Sequence, residues 1–87
     1  MKIKMDMSNY YNTYDLGVAA ALSVLGFEIA EVDKTDPQKV QFFFKPDGRK
    51  GNIEEVANTY FNQSLEVSAR KFFNEIKALK SRIYSNN

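Results

Sequence analysis

The chain contains no cysteine and no histidine. The first absence excludes disulfides, thiolate nucleophiles and cysteine-ligated zinc. The second removes the usual proton shuttle and the commonest transition-metal ligand. Long apolar runs are missing as well. Leu16–Leu25, the longest nearly apolar stretch, is about half of the roughly 20 residues that a bilayer crossing needs. The opening "MKIKMDMSNYY" has no continuous apolar block of the kind a signal peptide carries. A soluble, cytoplasmic protein with no membrane role is therefore expected. Net charge is scarce too: 12 cations against 11 acids leave +1. Global charge thus names no partner, and any electrostatic argument rests on distribution.

Motifs for catalysis are equally thin. Serine and threonine have no histidine base, and no Walker loop or dinucleotide fingerprint occurs. Glu54 and Glu55 stand together at a predicted helix start, where the macrodipole accounts for them. Asp33 and Asp36 flank a turn and match no calcium-loop spacing. No enzymatic activity, no cofactor and no metal are expected.

What is present suits a small globular unit. The 87 residues are 44% hydrophobic, with seven Phe and five Tyr, enough for one modest core. The expectation is a single domain over residues 1–87, with residues 1–11 as an N-terminal edge strand or a flexible leader. The strand reading comes from Met1, Ile3, Met5 and Met7 alternating with Lys2, Lys4, Asp6 and Ser8.

A first helix is predicted from about Tyr14 to Leu25, capped by Asn12 or Thr13 and stopped by Gly26. Its residues leave almost no polar face, so it is expected to be buried on most sides. "FEIAEVD" and "KVQFFFK" read as strands at about 27–33 and 39–45, joined through an Asp-Pro turn. In the second of these, Val40, Phe42 and Phe44 share one face while Phe43 points the other way and needs its own explanation. "NIEEVANTYF" reads as a helix capped by Asn52, "SLEV" as a brief further strand, and Ser68 as the cap of a last helix. The fold class expected is α+β: a small antiparallel sheet of two to four strands packed against three helices, in the order (β)-α-β-β-α-(β)-α.

The last helix carries the candidate site. At about 100° per residue, Ala69, Phe72, Ile76, Leu79 and Ile83 form its core face. One flank holds Lys71, Glu75 and Arg82, an ordinary wet surface. The other holds Arg70, Lys77 and Lys80 interleaved with Phe73 and Tyr84, and no acid. Cations that bind phosphates beside rings that stack bases are the parts of a single-stranded nucleic-acid surface. The competing reading is a solvated flank whose Lys and Arg stems cover boundary aromatics. "KPDGRKGN" adds Lys45, Arg49 and Lys50 beside Gly48 and Gly51, ahead of a helix start. There backbone amides can meet an anion, or the stretch is a plain solvated turn.

"TYDLGVAAALSVLGFEI" (residues 13–29) and "SARKFFNEIKALKSRIY" (residues 68–84) together resemble a domain-of-unknown-function family. Its members are small bacterial and bacteriophage proteins with a "TYDL-GLAAAL-GYE" type of opening and a "LKSRIY" type of end. The resemblance carries over no catalytic residue. It implies a phage or mobile-element setting, with two functions open. One is nucleic-acid binding with little sequence preference, single strands favoured. The other is a protein-interaction module, such as a phage-encoded inhibitor of a host defence protein, or a homodimer through the N-terminal strand.

Overall fold

A helix without a polar face has to be enclosed by the rest of the chain. In the computed structural model, which describes residues 9–46 and 51–85, that helix is α1 (Leu16–Val24). Val18, Ala19, Ala20, Ala21 and Leu22 are each 1% exposed or less. Five consecutive buried residues cover more than a full turn, so protein surrounds α1 on all sides there. The chain enters α1 two residues later than the sequence predicts. Asp15, not Asn12 or Thr13, is the cap, and its Oδ1 accepts from the Val18 N–H at 3.0 Å. Thr13 uses its hydroxyl one step earlier, accepting the Asp15 N–H at 3.0 Å. The exit is as expected. Gly26 has φ +98°, and the N–H groups of Gly26 and Phe27 donate to the Ser23 and Leu22 carbonyls. This doubly bonded stop is one that glycine adopts without steric cost.

The late helix start frees Tyr11–Thr13 to form the edge strand β1. The strand expected over Met1–Met7 lies outside the described residues. β2 (Ile29–Asp33) and β3 (Gln41–Phe44) are slightly shorter than predicted. The sheet is antiparallel in the order β1-β3-β2. On β3, Phe42 and Phe44 are fully buried, with Val40 packed beside them. Opposite them on β2 stand Val32 and Ile29, which are three apart and would face opposite sides of a regular strand. An irregularity between Ile29 and Glu31 resolves this by leaving Ala30 as an extra residue, so both apolar side chains reach the core. Phe43 falls on the other face, half-buried, with Asn12 and Glu31 as its cross-strand neighbours.

Helix α2 (Ile53–Phe61) starts at Asn52, whose Oδ1 accepts from the Glu54 and Glu55 N–H groups at 2.8 and 3.2 Å. It buries Ile53 and Ala57 against α1. Residues 65–67, read from the sequence as part of a strand, form none. Helix α3 (Ala69–Ile83) begins at the predicted cap, Ser68, and packs against α1 through Leu79, Phe72, Ile76 and Ile83. Ala69, predicted for the core face, is exposed, because the helix has not yet reached the core in its first turn. The result is an α+β fold in the order β1-α1-β2-β3-α2-α3.

Candidate nucleic-acid interface

Because α3 is helical throughout 69–83, its spacing fixes one line of side chains. Arg70, Phe73, Lys77, Lys80 and Tyr84 are separated by three, four, three and four residues, which keeps them within an arc of about 80°. The structure leaves all five exposed. Phe73 is 60% and Tyr84 77% accessible, the two highest values among the exposed large hydrophobic side chains. A phenyl ring left that open forgoes much of the roughly 1.5–3 kcal/mol that full burial gives. The Lys77 ammonium lies 5.5 Å from the centre of the Phe73 ring, a contact worth about 0.5–1 kcal/mol at an exposed site. Stem covering therefore accounts for part of Phe73's environment and still leaves more than half of the ring open.

Charge is divided unevenly. Between Ala69 and Ser85 stand five cations and one acid, Glu75; the other described residues carry three cations against eight acids. Many of those acids have local structural roles. Asp15 caps α1, and Asp33 and Asp36 accept the turn N–H groups of Thr35 and Gln38 at 2.9 and 3.0 Å. Glu54 and Glu55 sit in the first turn of α2, in line with its dipole. Burial, then the carboxylates of Glu54 and Asp15, push the Tyr11 phenol above its ordinary pKa. In α3 the pattern reverses. No acid occupies the first turn, and Arg70 and Lys71 stand at the positive end of the dipole, where a cation costs roughly 0.3–1 kcal/mol. Lys80 and Arg82, in the last turn, sit where the dipole favours them. Among the described residues, the ion pair formed is Lys45 with Glu28, at 3.4 Å, and none joins the Arg70–Tyr84 line.

Of the other candidate residues, Lys45 follows on from the row of Gln41 and Phe43, on the sheet face turned away from the helices. It is engaged with Glu28 and is not part of the α3 line. Arg49 and Lys50 lie outside the described residues. Lys34, which sequence reasoning missed, has a defined role. Its ammonium donates to the carbonyls of Arg82 and Ser85 at 3.1 and 3.2 Å, pinning the end of α3 to the turn after β2. No local signal marks a partner 48 residues away. The pairing of Lys39 with the Tyr14 ring, 5.7 Å from its centre, was likewise invisible in the sequence. Among the described residues no three acids gather into a metal site, and no helix is long and apolar enough to cross a membrane.

No curated protein and no solved structure matches the chain. Residues 8–85 match the family described as a domain of unknown function, DUF5659, and the chain belongs to that family.

Proposed function

We propose that the protein is a non-enzymatic nucleic-acid-binding domain with little sequence preference, acting through the outer line of α3. Arg70, Lys77 and Lys80 neutralise phosphates, and Phe73 and Tyr84 stack bases. The observation that carries the reading is the row of two open rings among three cations, none of them paired with an acid among the described residues. Arg70 adds weight, since its place at the start of α3 runs against helix stability and calls for another reason. A second copy of the chain is a poor occupant of this line, because self-pairing would set like charges against each other. The proposal keeps the phage or mobile-element setting implied by the resemblance, where single strands arise during replication.

An edge-strand interaction with a protein partner is supported less well. β2 is broken by its extra residue and bears Glu31 and Asp33, features that blunt an edge against pairing.

The test is fluorescence anisotropy with a labelled single-stranded oligonucleotide across a salt series. Lys77→Glu combined with Lys80→Glu is expected to abolish binding while leaving the melting curve in place. Single replacement of Lys77 or Lys80 by Gln is expected to flatten the log–log salt dependence by roughly 0.7–0.9 for each phosphate that is no longer neutralised. Affinity indifferent to the double variant, or to salt, overturns the proposal.

A further inference from the structure

The line of cations and rings does not end in open solvent. At the C-terminal end of α3, a cleft of about 240 Å³ is lined by Ile83, Tyr84 and Ser85 together with Lys34, Pro37 and Val40 from the β2–β3 connection. Lys80 lies one turn before Tyr84, between the directions of Ile83 and Tyr84 when viewed down the helix axis. The phosphate-binding track therefore runs into the mouth of the cleft. We infer that this cleft takes one unpaired base of a single strand whose backbone follows Lys80, Lys77 and Arg70; the inference rests on the function proposed above.

The lining suits a base better than other occupants. Tyr84 offers a ring, Pro37, Val40 and Ile83 offer aliphatic surface, and Lys34 and Ser85 offer polar groups. A flat apolar body with polar edges satisfies both parts. The cleft is also rigidly built, because Lys34 bonds the last carbonyls of α3 and so holds the hairpin turn and the helix end together. A second hollow, of about 320 Å³, lies on the side of Glu31 and Arg82 and shares Lys34 and Ser85 with the first. That hollow has no ring on which a base could stack, which leaves the Tyr84 side as the one a base enters. A base within a duplex has both faces stacked and its edge paired, so the cleft selects single strands.

Three labelled probes test this with the intact protein: a single-stranded oligonucleotide, the same strand with abasic sites in place of its bases, and the duplex. The single strand is expected to bind more tightly than either of the others. Tyr84→Ala is expected to weaken it about tenfold or more and to leave the abasic strand unchanged, while Tyr84→Phe keeps the ring and the affinity. The methyl NMR signals of Val40 and Ile83 are expected to shift with the base-bearing strand, and not with the abasic one. If all strands bind alike with salt-sensitive affinity, the phosphate track stands and the base cleft is overturned. A preference for bases that survives Tyr84→Ala, with Val40 and Ile83 unmoved, also overturns it, since the stacking then occurs elsewhere on α3. Failure of all three probes to bind overturns the cleft and the proposed function together.

Discussion

Helices α1 and α3 pack against each other and meet opposite demands. α1 carries no charged residue between Leu16 and Val24 and has five consecutive positions sealed from water. α3 buries Leu79 fully, half-buries Phe72, Ile76 and Ile83, and leaves most of the rest of its circumference wet. A sealed helix has almost no position at which a side chain is free to change. A one-sided helix meets its packing requirement with one stripe, and its other positions answer to something else. The charges of α2 and α3 sharpen the point. α2 opens with Glu54 and Glu55, as its dipole favours, whereas α3 opens with Arg70 and Lys71, against it. The fold is determined largely at α1 and the sheet, while the outer flank of α3 is chemically free.

The largest test of this contrast removes comparable apolar bulk from each helix. Leu22→Ala is expected to cost about 2–5 kcal/mol, because the site is sealed and closes poorly around a cavity. For a domain of this size that approaches the whole stability. Phe73→Ala removes a larger side chain and is expected to cost no more than about 1 kcal/mol, the worth of its exposed contact with Lys77. Urea unfolding followed by circular dichroism measures both. Equal losses would place Phe73 in the core and dissolve the distinction.

The next test concerns how closely α1 is held. A methyl group added at Gly17 would run into the Tyr60 hydroxyl, with Tyr60 Cζ at 3.0 Å and the capping Asp15 Oδ1 at 3.2 Å. Ordinarily Gly→Ala inside a helix gains about 1 kcal/mol. Here the sign is expected to reverse, with Gly17→Ala destabilising by about 1–3 kcal/mol through overpacking. Tyr60→Phe in the same chain should recover part of the loss by removing the atom struck first. A stabilising Gly17→Ala would mean that α2 yields, and that α1 is less tightly enclosed than its burial suggests.

Which parts were legible in the sequence follows from the same contrast. The burial of α1, the glycine stop at Gly26, the caps at Asn52 and Ser68 and the core face of α3 are local patterns, and each was readable from residues within one or two turns. β1 was not readable. Its three residues look like a helix cap, and they become a strand only because β3 lies beside them to pair. The extra residue at Ala30 escaped notice for a related reason, since it depends on which cross-strand partners Ile29 and Val32 meet. "SLEV" has strand-forming residues but no neighbouring strand, and propensity without a partner does not make a sheet. At the site, the cation-and-ring line came directly from helical spacing. The cleft at its end did not, because it requires Lys34, Pro37 and Val40 to meet Ile83, Tyr84 and Ser85 at sequence separations of 43 to 51.

The smallest expected effect compares how the two helices are delimited by the turns beside them. α1 ends at Gly26; the turn that leads towards α3 ends α2 at Gln63, with φ +67°. Both ends have the same bonding. As with Gly26 and Phe27, the N–H groups of Gln63 and Ser64 donate to Tyr60 and Thr59. At Gln63, however, a side chain occupies left-handed backbone, which costs an L-residue roughly 1–2 kcal/mol. Glycine there relieves that strain and adds back about 0.5–1 kcal/mol of chain entropy in the unfolded state. Gln63→Gly is therefore expected to stabilise the domain by a few tenths to about 1 kcal/mol, a rise of a few degrees in melting temperature for a chain of this length. Gly26→Ala, by the same reasoning, is expected to lower it. If Gln63→Gly destabilises instead, the exposed amide side chain stabilises the turn that positions α3 by more than its backbone strain costs. That position would then be held by side-chain contacts, whereas α1 ends on backbone geometry alone.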